Sequence, residues 1–365
     1  MKINIDFKNK GLIIGIVALL ILITVILVIV FNVDDNPDIG PAIKQPTVVN
    51  ITESANKQIK YTQYNNGDFS MKIPEGWMVE TVQGTNYAIR VYNPENEMYQ
   101  IFSFYTLGGF LKSKEAKQYY EVYSSISQTG FEKLPILNPG TPDNLYKIWT
   151  TVIGYVKTNM TGFANFNFPF FFNFKVKEQF ALNSKLKEEL TTKVDEAVIR
   201  ASFTDDSGKK IGDGLFSVAI VDLNNSDTNL PYAVYNAVGI TAPEEEYINW
   251  QGILSECLAS IKFSDKYLNS VNKGISIDEK TTININDELV SIVSAFNAAW
   301  NSRQTAEDVS LQKQLDNSLN YERVYNVTTS EVYRAPKGWF NNYIGDTYKL
   351  ITEDMYLKEL AGYIN

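Results

Sequence analysis

Residues 67–77, GDFSMKIPEGW, have the pattern of a half-buried strand that ends at a tight turn. Apolar Phe, Met and Ile alternate with Ser and Lys, which is typical of a strand with one face in a core. Pro74 cannot donate to a strand ladder, and Gly76 supplies a permissive turn position. We therefore predict a strand that stops at Pro74 and a new strand that starts at Trp77.

The same Pro-x-Gly-Trp pattern recurs near the C-terminus, at residues 336–339 within EVYRAPKGWF. The sequences around the two copies agree nowhere else, so they do not indicate an internal repeat. We predict that each copy ends a strand and that its Trp side chain packs nearby. An aromatic shelf for a ligand is the alternative.

Short strands separated by turn residues surround the first copy and predict an antiparallel sheet. A helix with Ser113 as its N-cap should follow, because apolar residues then recur at helical spacing. Further on, a short helix near residues 183–190 should precede a hairpin and one more strand. The predicted strands are residues 77–82, 87–92, 98–104, 148–156, 197–204, 215–223 and 232–240.

The strongest strand pattern in the chain is FNFPFFFNF, residues 166–174, which we call the Phe-rich segment. Alternation places one set of rings on a single face, although Pro169 restricts such a strand to a sheet edge or a bulge. One interpretation is an edge strand facing the core; the other is an exposed aromatic edge that binds a partner. The candidate partner-binding residues are Phe166, Phe168, Phe170, Phe172 and Phe174.

Two long amphipathic helices are predicted in the second half of the chain. The first should begin at Thr241 with a capping box to Glu244 and cover one side of the sheet. The second should be capped by Asn286, run to about Leu319, and precede a β-hairpin. Their apolar stripes are Tyr247, Trp250, Leu254, Cys257, Leu258 and Ile261 in the first, and Leu289, Ile292, Val293, Phe296, Ala299 and Trp300 in the second.

Residues 11–31 form an uncharged apolar run, long enough at about 31 Å of helix to span a bilayer. Lysines precede the run and aspartates follow it, so the positive-inside rule places residues 1–10 in the cytoplasm and the rest outside. We favour an uncleaved signal anchor over a cleaved signal peptide, whose apolar region is shorter. Gly11 and Gly15 also have the G-x-x-x-G spacing of helix pairs.

The remaining chain divides by composition. Residues 32–60 are polar and hold three prolines, which predicts an extended, mobile tether. We then expect an α+β ectodomain at residues 61–267, a polar linker at 268–284, and a C-terminal helix plus hairpin region at 285–365.

The sequence FSMKIPEGW, the helix inserted after the first strands, and the closing LASIKFSDKY resemble PsbP-like domains over about residues 61–267. The whole chain is also similar to a class of membrane-anchored extracytoplasmic bacterial proteins, particularly in YERVYNVTTSEVYRAPKGW. The resemblance implies an antiparallel sheet sandwiched by helices. It also implies a binding or scaffolding module of the cell envelope, with no catalytic residue.

Composition excludes several kinds of chemistry. The chain has no histidine, which removes Ser-His-Asp and Cys-His catalysis, and its net charge of −9 argues against nucleic acid. Cys257 is the only cysteine, and we expect it to be buried and inert. The loop with Asp222, Asn224 and Ser226 at alternate positions lacks the Gly and Glu of a calcium loop.

Two functional classes remain open. The first is a non-catalytic module that binds a protein or another envelope component and needs no cofactor or metal. The second is an envelope hydrolase that acts on glycan or peptide through a carboxylate pair. A large acidic cleft would favour the hydrolase, whereas an exposed aromatic edge would favour the binding module.

Overall fold

The structure, a computed structural model, describes residues 46–84, 87–127, 130–224, 227, 229–272 and 284–365. It is a mixed α+β protein, which confirms the predicted class, and residues 48–365 form one compact unit. The predicted cytoplasmic tail, the apolar run at 11–31 and the tether up to residue 45 lie outside the described residues. Among the described helices, none is both long and apolar enough to cross a membrane.

The largest element is an antiparallel sheet of seven strands in the order β4-β5-β6-β10-β9-β8-β7. A second sheet, β11-β3-β2, holds the strand of the first Pro-x-Gly-Trp turn. The strands of these two sheets are β2 (Tyr61–Asn65), β3 (Phe69–Pro74), β4 (Met78–Val82), β5 (Ala88–Tyr92), β6 (Gln100–Phe110), β7 (Phe172–Ala181), β8 (Lys193–Thr204), β9 (Ile211–Asp222), β10 (Tyr232–Pro243) and β11 (Lys262–Phe263).

A third, five-stranded sheet lies at the C-terminal end and includes the first described strand of the chain. Its order is β1-β15-β13-β12-β14, and β13 and β15 are parallel. These strands are β1 (Ile51–Glu53), β12 (Tyr321–Asn326), β13 (Val332–Pro336), β14 (Tyr348–Leu350) and β15 (Leu360–Ile364).

Helices cover both sides of the seven-stranded sheet. In the described residues they are α1 (Lys114–Ser127), α2 (Pro142–Lys147), α3 (Trp149–Asn159), α4 (Lys185–Glu189), α5 (Tyr247–Ala259), α6 (Asp265–Asn272), α7 (Ile285–Ser302), α8 (Ala306–Ser318) and α9 (Trp339–Asn342). The predicted helix at Ser113 is confirmed, since the Ser113 hydroxyl accepts a hydrogen bond from the backbone N–H of Ala116 at 3.1 Å.

The two faces of the seven-stranded sheet carry separate apolar cores. On the helix face, α5, α7 and β3 pack against aliphatic strand residues such as Ile89 and Ile240. On the aromatic face, α2, α3 and the Phe-rich segment pack against Phe102, Phe104 and Phe216. Successive strand residues point to opposite faces, so Ile101 lies in the first core and Phe102 in the second.

Both Pro-x-Gly-Trp copies end strands, as predicted. Gly76 and Gly338 each have a φ of +84°, in the left-handed region that favours glycine. Trp77 stacks on Trp250 with ring centroids 5.8 Å apart, and Trp339 stacks on Tyr343 at 4.8 Å. The Trp side chains therefore pack, although Trp77 and Trp250 also line a shallow open groove.

Residues 148–156, predicted as a strand, are instead the helix α3. Trp149, Val152, Ile153 and Val156 are all buried, and their spacing of three and four residues places them on one helical face. A short apolar run fits a buried helix as well as a buried strand, and only the contact with the aromatic face distinguishes the two.

The predicted start of the first long helix is also wrong. Strand β10 continues through Thr241 to Pro243, and the Thr241 hydroxyl donates to the Met98 carbonyl at 2.7 Å instead of capping a helix. Helix α5 begins at Tyr247. The predicted apolar stripe is confirmed at Leu254 and at Cys257 and Leu258, which are fully buried.

The second long helix is divided into two. Asn284, not Asn286, is the N-cap of α7, and the helix ends at Ser302 before α8 starts at Ala306. Its predicted stripe from Leu289 to Ala299 is buried in the same core as α5. Residues 268–272 of the predicted linker belong to α6, and residues 273–283 lie outside the described residues.

The end of the predicted tether is part of the fold rather than free chain. Strand β1 pairs with β15, so that Glu53 lies opposite Gly362. Ser54 is buried and its hydroxyl donates to the Leu360 carbonyl at 2.7 Å. The segment at 51–53 is short and exposed along its length, so its sequence has no strand period to detect.

Candidate binding cleft

The Phe-rich segment does not form one strand with all five predicted rings on a face. Strand β7 starts only at Phe172, and the residues before it are irregular. A period of two therefore does not apply. Phe166, Phe168 and Phe174 are buried on the aromatic face, whereas Phe170 is 42% exposed and Phe172 is half-buried.

Phe171, which we expected on the opposite face, is also buried. Its ring packs against Phe102 at 5.5 Å and Phe216 at 5.1 Å. Neither interpretation, a strand facing the core or an exposed aromatic edge, therefore applies to the whole segment. Most of the rings are core, and Phe170 is the one that extends to solvent.

Side chains from other elements hold the irregular backbone of this segment. The backbone N–H of Asn167 donates to Glu80 Oε2 at 2.8 Å, and the backbone carbonyl of Asn167 accepts from Arg90 Nη1 at 3.1 Å. The Trp149 indole Nε1 donates to the Pro169 carbonyl at 2.7 Å. These bonds replace a strand ladder, which explains how Pro169, with no N–H, fits here.

Arg90 is almost fully buried on β5 and links the segment to the sheet. Its Nε donates to Gln100 Oε1 at 2.9 Å, and its Nη2 pairs with Glu97 Oε2 at 2.8 Å. Burial lowers the pKa of Arg90, and the nearby Glu97 carboxylate offsets part of that effect. The guanidinium still carries its charge at neutral pH, because arginine does not deprotonate in proteins.

An open cleft of about 430 Å³ lies beside this segment. Three aromatic rings line it, and two of them, Phe170 and Phe172, are nearly parallel at 8° with centroids 6.2 Å apart. Three carboxylates and one guanidinium line the same space. The lining residues are Arg90, Glu97, Met98, Gln100, Phe170, Phe172, Phe203, Asp205 and Asp206.

The two aspartates come from the turn between β8 and β9. Asp205 is partly desolvated, but hydrogen bonds from Ser207 Oγ at 2.8 Å and from the amides of Lys210 and Lys209 lower its pKa. Asp206 is exposed at the same turn. The hairpin itself is predicted from its turn residues, but nothing in the sequence places it next to Phe170.

Groups suited to nucleophilic or acid–base catalysis lie elsewhere. Cys257 is buried on the helix face, and burial raises its pKa to about 12, which keeps the thiol protonated and inert. Burial also raises the pKa of the carboxyls of Glu196, Glu288 and Glu359, none of which lines the cleft. In the described part of the chain, no group of three or more His, Cys, Asp or Glu side chains has the arrangement of a metal site.

The loop considered for calcium binds a lysine instead. Lys112 Nζ lies 2.7 Å from Asp222 Oδ1, and it donates to the carbonyls of Asn224 at 2.9 Å and Asp227 at 3.0 Å. The ammonium therefore occupies the position between these oxygens. Ser226, the third alternate position of this loop, lies outside the described residues.

No protein-family model matches this chain, and no curated protein is similar enough in sequence to count as a relative.

Proposed function

We propose that this chain is a membrane-anchored, non-catalytic binding protein of the bacterial cell envelope, held by residues 11–31 with its folded part outside the cell. The basic residues before the apolar run and the acidic residues after it support this orientation. The PsbP-like resemblance of residues 61–267 belongs to the same proposal, and an antiparallel sheet between helices is compatible with it.

The exposed Phe170 is the observation that carries the proposal. Phe170 shares a cleft with Phe172 and several charged groups, and a concave site lined by aromatic rings and a few polar groups is typical of ligand binding. Here the exposure does not come from a loose loop, because Asn167 and Pro169 are both held by hydrogen bonds to distant elements. A site whose backbone is held before binding loses little conformational freedom when a partner binds.

A carboxylate-pair hydrolase is the second candidate, because Glu97, Asp205 and Asp206 share the cleft. A general acid of that class needs a raised pKa. The pKa of Asp205 is lowered, and the carboxyls with a raised pKa lie outside the cleft. These observations favour binding over hydrolysis.

The test is capture from the envelope with the full-length protein in a neutral detergent, comparing wild type with the double variant Phe170→Ser, Phe172→Ser. We expect the variant to keep its fold and to lose the captured component. Tyr119→Ala is the matched control, because the exposed fraction of Tyr119 on α1, 43%, is similar to that of Phe170. Identical capture by all three proteins, or unfolding of the double variant, would contradict the assignment of the site.

Orientation is tested separately by adding protease to intact cells. We expect cleavage of the folded part and protection of the N-terminal tail. A protein that is untouched until the cells are lysed would contradict the extracytoplasmic placement.

A further inference from the structure

We propose that the ligand of the cleft is a basic segment of a partner protein, whose lysine or arginine side chain lies against Phe170 and pairs with Asp206 and Glu97. This inference rests on the proposed binding function and names the chemistry of the partner. It is carried by two features of the cleft that occur together, its charge and its aromatic surface.

The charge of the cleft is negative, because three carboxylates face a single guanidinium. That guanidinium belongs to Arg90, which is buried and already bonded to Glu97, Gln100 and the Asn167 carbonyl. An anionic ligand would therefore meet three like charges and a buried cation that already donates to three partners. A cationic ligand would meet Asp206, which is exposed, and Glu97, whose side chain is 50% exposed.

The two lysines nearby in the sequence do not neutralise the negative charge of the cleft lining. Lys209 and Lys210 follow the aspartates in the same turn and are exposed, but they do not line the cleft. Their backbone amides bond to Asp205 and orient its carboxylate. The lining of the cleft is therefore acidic, although the turn as a whole is close to neutral.

The aromatic surface gives the second requirement. The face of a phenylalanine ring attracts a cation through its quadrupole, and the alkyl stem of Lys or Arg packs on the same surface. A purely apolar ligand would cover the exposed Asp206 carboxylate without offering it a partner, which costs binding energy. A long basic side chain with an apolar stem satisfies both the rings and the acids, and about 430 Å³ is ample room for it.

The inference is tested by fluorescence anisotropy with the full-length protein in neutral detergent. Four labelled model peptides of the same length are compared, identical except that one central position is Arg, Lys, Gln or Glu. We expect the Arg and Lys peptides to bind at least about ten-fold tighter than the Gln and Glu peptides. Raising the salt concentration should reduce this difference, because exposed charges are screened.

Two variants connect the preference to the cleft. Asp206→Asn should weaken the Arg peptide by about three-fold, as an exposed ion pair contributes modestly. Phe170→Ala should weaken it by about two- to five-fold, the range of an exposed cation–π contact plus lost packing. Both side chains are exposed, so the folded state should survive, which a thermal melt verifies.

Two matched controls are residues that do not line the cleft. Glu189→Gln on α4 neutralises an exposed carboxylate, and Tyr119→Ala on α1 removes an equally exposed ring. Neither should change peptide affinity. If either control weakens binding as much as its partner variant, the effect is general to the surface and the inference is overturned.

Failure of this inference differs from failure of the proposed function. Equal binding of the four peptides, preference for the Glu peptide, or binding only to anionic lipid vesicles would overturn the basic-segment ligand. Envelope capture that still depends on Phe170 would leave the binding function in place. Capture that is indifferent to Phe170 and Phe172 would overturn both.

Discussion

The two faces of the seven-stranded sheet are covered in different ways. On the helix face, α5 and α7 present buried residues three and four positions apart to aliphatic strand residues. On the aromatic face, two shorter helices and an irregular segment present Trp149 and several phenylalanines to Phe102, Phe104 and Phe216. The first cover is regular structure, and the second depends partly on side-chain hydrogen bonds.

The difference shows how an exposed aromatic ring can be held in place. A regular helix buries a stripe and exposes the opposite side, so the same spacing decides every residue. In the irregular segment, each residue is buried or exposed according to its own contacts. Phe168 is fully buried and Phe170 is 42% exposed, although they are two positions apart.

The largest effect on the free energy of unfolding should come from removing the buried ring of this pair. Phe168→Ala removes a buried ring that stacks on Phe104 at 5.4 Å, and should lower the free energy of unfolding by about 3–5 kcal/mol. Phe170→Ala, the matched control, should lower it by less than about 1 kcal/mol. Urea unfolding followed by circular dichroism measures both, and equal losses would mean that the two rings do not differ in burial.

The next effect concerns the buried guanidinium that holds the segment. Arg90→Met keeps the apolar stem but leaves Gln100 and the Asn167 carbonyl without their donor, which should cost about 3 kcal/mol. Lys72→Met is the control, since Lys72 pairs with Glu256 at the surface on the side of the helix face. That change should cost about 1 kcal/mol or less, because exposed ion pairs contribute little.

The result for Arg90 has a clear contrary outcome. If Arg90→Met is as mild as Lys72→Met, the hydrogen bonds to the Phe-rich segment contribute little to the aromatic face. The comparison between a regular and a hydrogen-bonded cover would then lose its basis.

A smaller effect should follow from removing one indole donor. Trp149→Phe keeps an aromatic ring on α3 but leaves the Pro169 carbonyl buried without a partner, at a cost of about 1–3 kcal/mol. Amide hydrogen exchange should also speed up in residues 170–174. Trp77→Phe on the helix face is the control. We expect it to lower the free energy of unfolding by less than about 1 kcal/mol and to leave amide exchange in residues 170–174 unchanged.

The smallest effect is a pH dependence on the helix face. Glu288 on α7 is buried and accepts from Asn236 Nδ2 at 2.7 Å and the Leu186 amide at 3.1 Å. Burial raises its pKa above the ordinary value, with a further contribution from the nearby Glu196 carboxylate. The folded protein therefore holds this proton more tightly than the unfolded chain does.

The sign follows from linkage. A raised pKa contributes stability that is fully present below the unfolded pKa and is lost as pH rises through the folded one. Stability should thus increase from this group as pH falls from 7 towards 5, and Glu288→Gln should flatten the dependence. Urea midpoints at pH 5, 6 and 7 test this, with exposed Asp287→Asn as the control; an unchanged slope in Glu288→Gln would contradict it.

Local patterns predicted the parts of the fold whose burial repeats along the chain. The strand β3, the turns at Gly76 and Gly338, and the stripes of α5 and α7 follow from spacing and from proline and glycine geometry. The ends of elements were predicted less well. Thr241 has the composition of a helix cap, but its hydroxyl bonds to Met98, more than a hundred residues earlier.

The candidate site was predicted only in part, for the same reason. The aromatic content of residues 166–174 identified the segment, but a period of two places all five predicted rings on one face, whereas Phe170 is exposed and Phe166, Phe168 and Phe174 are buried. Arg90, Glu97, Asp205 and Asp206 carry no local signal of a site. They meet the segment only because β5, β6 and the β8–β9 turn are brought together by the sheet.

From its residues alone, this chain specifies an apolar N-terminal run, two amphipathic helices and two strand-ending turns, because hydropathy and backbone geometry act over a few residues. Only the tertiary structure decides that Phe170 reaches solvent between buried neighbours. Its position depends on donors from Arg90 and Trp149, which lie 80 and 21 residues earlier in the chain. Folding must bring those donors to the segment before the exposed ring and the acidic cleft exist.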